Sequence, residues 1–94
     1  MARQAENAGP VGELRAAVEA NPDNHQARVD LAQALYASGD AEGAVTELLE
    51  SFRRDRDWND GAAKEQLLTM FDALKPNDPV VLAGRRKLSS MIFA

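Results

Sequence analysis

Few residues of this chain have side chains that could carry out chemistry, and their spacing gives them no partners. The chain has one histidine, His25, and no cysteine. A general base or a metal ligand needs a second group beside it, and neither a second histidine nor a thiol is present. A Gly-rich phosphate-binding loop is also missing. We therefore expect His25 to be a surface residue, and we expect no catalytic residue, no metal site and no cofactor.

Three closely spaced aspartates are the best candidates in the sequence for a cation-binding site. Asp55, Asp57 and Asp60 lack the glycine and the terminal glutamate of a calcium-binding loop. Aspartate is also one of the preferred residues immediately before a helix. The spacing therefore favours helix capping over calcium binding.

Two basic clusters are candidates for nucleic-acid binding. One consists of Arg53, Arg54 and Arg56, and the other lies at residues 85–87. A nucleic-acid site would place such residues on one face together with aromatic side chains. Aspartates interrupt the first cluster, however, and the net charge of the chain is −4. We expect no nucleic-acid partner, and we expect these arginines to form ion pairs within the chain, between its repeats.

The length and composition indicate one small domain. The chain has 94 residues, of which 45% are hydrophobic but only 5% aromatic, so alanine and leucine must form most of the core between closely packed helices. No run approaches the roughly 18 apolar residues of a membrane span, and no signal peptide is recognisable. We expect no membrane contact and a cytoplasmic location. Residues 1–10 are predicted to be a linker or flexible tail, and residues 11–94 a helical domain.

Apolar residues recur every three to four positions, which predicts helices throughout. The first helix covers residues 11–20 and ends before Pro22. Asp23 is expected to cap the second helix, with Gln26 as its capping-box partner. Gly39 ends that helix and Asp40 caps the third, while Asp57 or Asn59 caps the fourth. The last helix begins at residues 78–79, an aspartate followed by a proline.

One stretch follows the spacing of a repeated helix–turn–helix unit. If His25 is the first residue of the unit, leucines and alanines fall at the contact positions of both helices, and glycine falls at the turn. These residues are Leu31, Ala32, Leu35, Gly39, Ala44 and Leu48. This spacing is typical of the tetratricopeptide repeat, whose period is about 34 residues. The sequence therefore predicts an all-α fold, a short tetratricopeptide-like superhelical stack of about five antiparallel helices.

The repeat extends in both directions. Before the complete unit, Pro22 matches the proline that closes a repeat, so the chain opens with half a unit. After it, Leu67 and Phe71 lie 36 residues beyond their counterparts in the first unit. At the same offset, Lys75 corresponds to Gly39 and Val80 corresponds to Ala44. The second unit is therefore a degenerate copy.

Beyond the repeat, the chain resembles the C-terminal tetratricopeptide region of the chaperedoxins, which are bacterial thioredoxin-like co-chaperones. The segments that carry the resemblance are PDNHQAR at 22–28, LA at 31–32, GD at 39–40, RRDRDW at 53–58, KEQLL at 64–68, FDAL at 71–74, DP at 78–79 and RRKLSS at 85–90, with Phe93. The resemblance implies an upstream thioredoxin-fold domain and a co-chaperone role in which clients pass to the chaperonin. The CxxC motif of a thioredoxin domain is absent, and Arg28 occupies a position that is often tryptophan in the repeat.

We expect a protein-binding surface on the first helix of the complete unit. Gln26, Val29, Gln33 and Tyr36 are spaced three to four residues apart and should face the concave side of the stack. Such a face would bind protein clients or a chaperonin. The alternatives are an ordinary solvated helix face and a surface covered by the C-terminal helix.

Two further apolar features have a structural and a functional interpretation. Trp58, the single tryptophan, is expected to pack over the joint between two repeats, although it could anchor a partner. Near the C-terminus, Met91, Ile92 and Phe93 are expected to dock within the chain, and the other possibility is a homodimer. A structural scaffold that holds subunits together without binding clients is the alternative function.

Overall fold

The chain is a stack of α-helices in a computed structural model that describes residues 10–93. No strand occurs in that range, and a short 3-10 turn, Trp58–Asp60, precedes the fourth helix. The five helices are α1 (Pro10–Ala20), α2 (His25–Ala37), α3 (Ala41–Arg54), α4 (Ala62–Ala73) and α5 (Pro79–Phe93). The predicted all-α fold is thus confirmed, while residues 1–9 of the predicted linker lie outside the described residues. No helix in the described range has both the length and the apolar character needed to cross a lipid bilayer.

The start of α2 differs from the predicted capping box. Asn24 is the N-cap, and its side-chain oxygen accepts a hydrogen bond from the backbone N–H of Ala27 at 3.1 Å. A turn from Asn21 to Asn24, closed by a 2.9 Å backbone hydrogen bond, moves the helix start one residue beyond Asp23. Gln26 donates to Asp30 one turn further on, so it has no part in the cap. The prediction of Asp23 with Gln26 was wrong because the turn, and not the residue type, sets the first helical position.

The turn between α2 and α3 follows the sequence prediction closely. Gly39 has φ +98°, a conformation that costs other residues energy. Its N–H donates to Tyr36, and the N–H of Asp40 donates to Leu35, which together form a Schellman motif. Asp40 then caps α3 by accepting from the N–H of Gly43 at 2.8 Å. Gly39 and Asp40 together reverse the chain within two residues.

The connection from α3 to α4 was predicted incorrectly. Neither Asp57 nor Asn59 caps α4, because the N-cap is Gly61, which has φ +81° and offers no side chain. Asn59 and Asp60 also have positive φ, a conformation that asparagine and aspartate tolerate better than most residues. Asp55 accepts from the N–H of Asp57, which closes a turn and does not begin a helix. The 3-10 turn therefore takes the place of a side-chain cap.

Helix α3 lies at the centre of the stack and packs against α2, α4 and α5. Ala32 and Ala44 are fully buried where α2 and α3 meet, as expected for small side chains that let two helices approach. The largest fully buried apolar side chains come from four different helices. They are Leu31, Leu48, Leu67, Phe71 and Val81.

In the second unit, the position of closest helix approach differs from the predicted register. Val80, the counterpart of Ala44, is only half-buried, and Gly84 is the small buried residue of α5. A Cβ atom on Gly84 would lie 2.7 Å from Cζ of Phe71 and 3.1 Å from Cγ1 of Val45. Asp78 accepts from the N–H of Val80 at 2.8 Å, which confirms the predicted start of α5. Glycine at position 84 is thus what allows α5 to pack onto α3 and α4.

Candidate protein-binding surface

The four predicted binding residues do not all lie at the surface. Gln26 and Gln33 are exposed, and Tyr36 is half-buried at the edge of the core. Val29 was expected to face outward, but only 5% of it is exposed and it belongs to the core. The outward stripe of α2 contains the exposed Gln26 and Gln33 and the half-buried Asp30, because residues four and three apart share a helix face. Val29 lies beside this stripe, on the side that packs into the stack.

A contact between two helices extends this stripe. The side-chain nitrogen of Gln33 donates to the side-chain oxygen of Gln66 on α4, at 3.4 Å. Gln26 donates to Asp30 at 2.9 Å on the same stripe. We call the set Gln26, Asp30, Gln33 and Gln66 the α2–α4 surface. Gln66 was missed from sequence, although it lies 36 residues after Asp30 and is therefore its counterpart in the second unit.

The α2–α4 surface can both donate and accept hydrogen bonds. Each glutamine amide has two N–H donors and a carbonyl acceptor, so it can pair with both the C=O and the N–H of a peptide group. The 3.4 Å bond between Gln33 and Gln66 is long and exposed, so exchanging it for a bond to another molecule costs little. The surface is therefore suited to an extended peptide segment.

A buried ion pair holds α2 in place behind this surface. Arg28 lies in the position often occupied by tryptophan, and it is buried. One of its terminal nitrogens donates to Glu47 on α3 at 2.9 Å, and the other donates to the carbonyl of Pro22 at 2.7 Å. Its Nε has no hydrogen-bond partner within the described part of the chain. Arg28 thus joins α2 both to α3 and to the turn before it.

His25 is buried, contrary to the expectation of a surface residue. Its exposed fraction is 9%, and its Nδ1 lies 2.8 Å from the hydroxyl oxygen of Ser51 on α3. Its ring stacks on Trp58 with a centroid distance of 5.5 Å and an interplanar angle of 28°. The 3-10 turn explains the difference, because it returns the chain across the first turn of α2. Ser51 is fully buried, so its hydroxyl group is shielded from solvent.

Trp58 packs at the joint between the two units, as predicted. It is half-buried and contacts the hydrophobic core as well as His25. Since its ring covers the buried histidine, its area contributes to holding α4 against the first unit.

The basic clusters form intramolecular contacts, as expected, but mostly within one unit. Arg53 and Arg54 both pair with Glu50 on α3, and Arg54 also reaches Asp23 at 3.0 Å. The hydrogen bond from Arg53 is the main cause that lowers the pKa of Glu50 to about 2, with Arg54 adding to it. Arg56 lies over the ring of Phe52 at 5.2 Å.

The second basic cluster makes two contacts between helices, both through Arg85. Arg85 on α5 lies 3.9 Å from Asp72 on α4, and its guanidinium is 5.2 Å from the ring centroid of Phe71. Both contacts join the helices of the second unit.

A groove of about 550 Å³ lies on another side of the stack, between α3 and α5. Its lining includes apolar residues such as Leu49 and Val80, and its charged residues are of both signs, including Arg15, Glu42 and Lys87. No group of three or more histidine or acidic residues suited to a metal ion occurs between residues 10 and 93.

The fold and the surface together define a class: a helical-repeat module that offers side chains on helix faces. A tetratricopeptide repeat family model matches residues 4–93, so the chain belongs to the tetratricopeptide repeat family. Domains of this family generally mediate protein–protein interaction and are generally not catalytic. No curated protein matches the chain, and no solved structure does.

Proposed function

We propose that this domain is the protein-interaction module of a chaperedoxin-like co-chaperone, which binds unfolded client proteins or a chaperone. The tetratricopeptide family match supports the interaction role, and the resemblance to the chaperedoxins supports the co-chaperone context. The same resemblance implies an upstream thioredoxin-fold domain, and we propose a cytoplasmic location.

The observation that carries the proposal is the amide contact between Gln33 and Gln66 across two helices at an exposed surface. A surface that serves only solvation has no need for matched donors and acceptors on neighbouring helices. Amide side chains can pair with peptide groups whatever the sequence of the bound segment, which suits a module that binds many unfolded clients. Tyr36, half-buried beside this surface, supplies an aromatic side chain for apolar client residues.

The experiment measures binding of the purified domain to a permanently unfolded model protein and, separately, its capture of chaperonin from bacterial lysate. The test variant combines Gln33→Ala with Gln66→Ala. The matched control combines Glu13→Ala with Glu19→Ala, two exposed residues on α1. We expect the test variant to weaken binding about tenfold and the control to leave it unchanged, because only the first removes central polar contacts.

Circular dichroism of both variants shows whether they remain folded. Client binding that is equal in the folded test variant and the control would contradict the assignment of the α2–α4 surface. A domain that binds no unfolded protein, but whose mass in solution rises with concentration, would support the alternative of a structural oligomerisation scaffold.

A further inference from the structure

Helix α5 differs in charge from the rest of the chain. Its sequence contains three basic residues and no acidic one. Of the 11 basic and 15 acidic residues of the chain, this leaves 8 − 15 = −7 for everything outside α5. A basic helix in an acidic chain concentrates positive potential on one part of the molecular surface.

Helix α5 also has two faces. Leu82, Arg86, Ser89 and Phe93 follow one another at intervals of four, three and four residues, so they share one side of the helix, and all four are exposed. Leu82 is 52% exposed and Phe93 is 84% exposed. The buried side of α5 consists of Val81, Gly84 and Leu88.

The neighbouring helix α4 adds a third apolar residue. Leu68 and Asp72 lie one turn apart on α4, and Asp72 is 3.9 Å from Arg85 of α5. This side of α4 therefore borders the exposed side of α5. Leu68 is 38% exposed, and Leu68, Leu82 and Phe93 are the large exposed apolar residues among the described residues. We call the set Leu68, Leu82, Arg86, Ser89 and Phe93 the outer face.

We propose that the outer face binds an acidic amphipathic helix of a partner protein. Exposed apolar side chains that are grouped on one surface mark interaction sites. Arg86 has no ion pair with any residue in the range 10–93, so its charge is available to a carboxylate of the partner. Leu82 and Phe93 are 11 residues apart, about 16 Å along the helix, which is the length of three helical turns of a partner.

Charge and surface composition disfavour a second copy of this chain as the occupant. Two outer faces packed together would bring two basic helices into contact, and Arg86 of each copy, which has no ion pair among residues 10–93, would lie in the interface. Outside the outer face, the described residues include no large exposed apolar side chain, so another side of a second copy offers little exposed apolar surface to these leucines. An acidic helix with its own apolar stripe would pair its carboxylates with the basic residues of α5 and cover the exposed apolar side chains of the outer face.

The test uses a fluorescent synthetic peptide of about 18 residues, long enough to form a helix on binding, with one leucine stripe and glutamates elsewhere. A second peptide has lysine in place of every glutamate. Fluorescence anisotropy measures the binding of both to the chain. We expect the acidic peptide to bind, its affinity to fall with added salt, and the basic peptide not to bind.

Variants of the outer face identify the site. We expect Leu82→Glu and Phe93→Ser each to weaken binding of the acidic peptide about tenfold, because apolar anchors dominate such interfaces. Arg86→Glu should weaken it by roughly threefold to tenfold, whereas Arg15→Glu, the same charge change on α1, should have no effect beyond that of net charge. This surface is separate from the α2–α4 surface, so the result does not depend on the function proposed above.

Three outcomes would overturn the proposal. The first is equal binding of the acidic and basic peptides. The second is equal loss with Arg86→Glu and Arg15→Glu, which would indicate a diffuse charge effect. The third is a concentration-dependent mass of the peptide-free chain that Leu82→Glu restores to that of a monomer, which would identify a second copy as the occupant.

Discussion

The two helical hairpins of this protein are built on the same repeat but held together differently. In the first hairpin, α2 and α3 pack directly on each other, through two alanines and a turn closed by Gly39. In the second, α4 and α5 each pack against α3 more than against each other. The first hairpin is therefore stabilised by its own contacts, whereas the second depends on the first. A degenerate repeat can be tolerated where a neighbouring unit supplies the packing surface.

The largest expected effect on stability concerns the buried ion pair between α2 and α3, within the first hairpin. Glu47→Ala leaves Arg28 charged and buried without its partner, and breaking such a pair costs about 3–5 kcal/mol. Urea denaturation measures the loss in the free energy of unfolding. Replacing both residues, with Arg28→Met and Glu47→Leu, should recover most of it because no charge remains buried. A loss below about 1 kcal/mol for Glu47→Ala would show that the ion pair does not anchor α2.

The second-largest expected effect is a loss of stability that tests how α5 packs in the second hairpin. Gly84→Ala places a methyl group against Phe71, and overpacking of this kind costs about 1–3 kcal/mol. Hydrogen exchange should show faster exchange in α5 than in α2 and α3, because α5 is the helix displaced. The control variant is Ala83→Ser, at the exposed residue immediately before Gly84. Uniformly faster exchange across all helices would mean that the second hairpin does not loosen independently.

A smaller loss of stability is expected at the turn between α2 and α3, and it is compared with the turn between α4 and α5. Gly39→Ala should cost about 1 kcal/mol, because its φ of +98° strains any residue with a Cβ atom. Lys75→Gly, at the corresponding position of the second unit, should bring no gain, because that turn does not rest on a left-handed residue at position 75. Thermal denaturation of both variants provides the measurement. Stabilisation by Lys75→Gly would show that the two turns share one conformation after all.

The smallest expected effect is a pH-dependent change in the free energy of unfolding that comes from Glu50 on α3. The pKa of Glu50 is lowered from 4.5 to about 2, chiefly by its hydrogen bond with Arg53. A carboxyl group whose folded pKa is lowered stabilises the fold above its unfolded pKa and loses that contribution as pH falls through the folded value. The contribution should therefore disappear between pH 4.5 and about 2. Because Arg53 is exposed, solvent screens the pair, and we expect this contribution to be the smallest of the four.

Unfolding at pH 7 and at low pH, in the wild type and in Glu50→Gln, measures this contribution. The difference between the two proteins should be present at pH 7 and shrink towards pH 2, in the direction given by the lowered pKa. A difference that stays constant over this range would assign the effect to helix propensity and not to charge.

The candidate binding surface was only partly predictable from the sequence. Helical spacing correctly placed Gln26 and Gln33 at the surface, but it could not show that Val29 is covered. A residue at the edge of a helix face is exposed or buried according to what packs beside it, and spacing along one helix contains no information on the neighbouring helix. Gln66 was missed for the same reason, since its role depends on the distance between α2 and α4.

Local signals in the sequence by themselves determined the helical architecture. The 3.6-residue apolar period, the Gly39-Asp40 turn and the Asp78-Pro79 start each act over a few neighbouring residues, so they can be recognised without a fold. Only the tertiary structure decided three features. They are the burial of His25, the pairing of Arg28 with Glu47 and the close packing of α5 at Gly84. Each of these depends on groups that are distant in the chain, and whether a polar or small residue is buried is set by the partners that the fold brings to it.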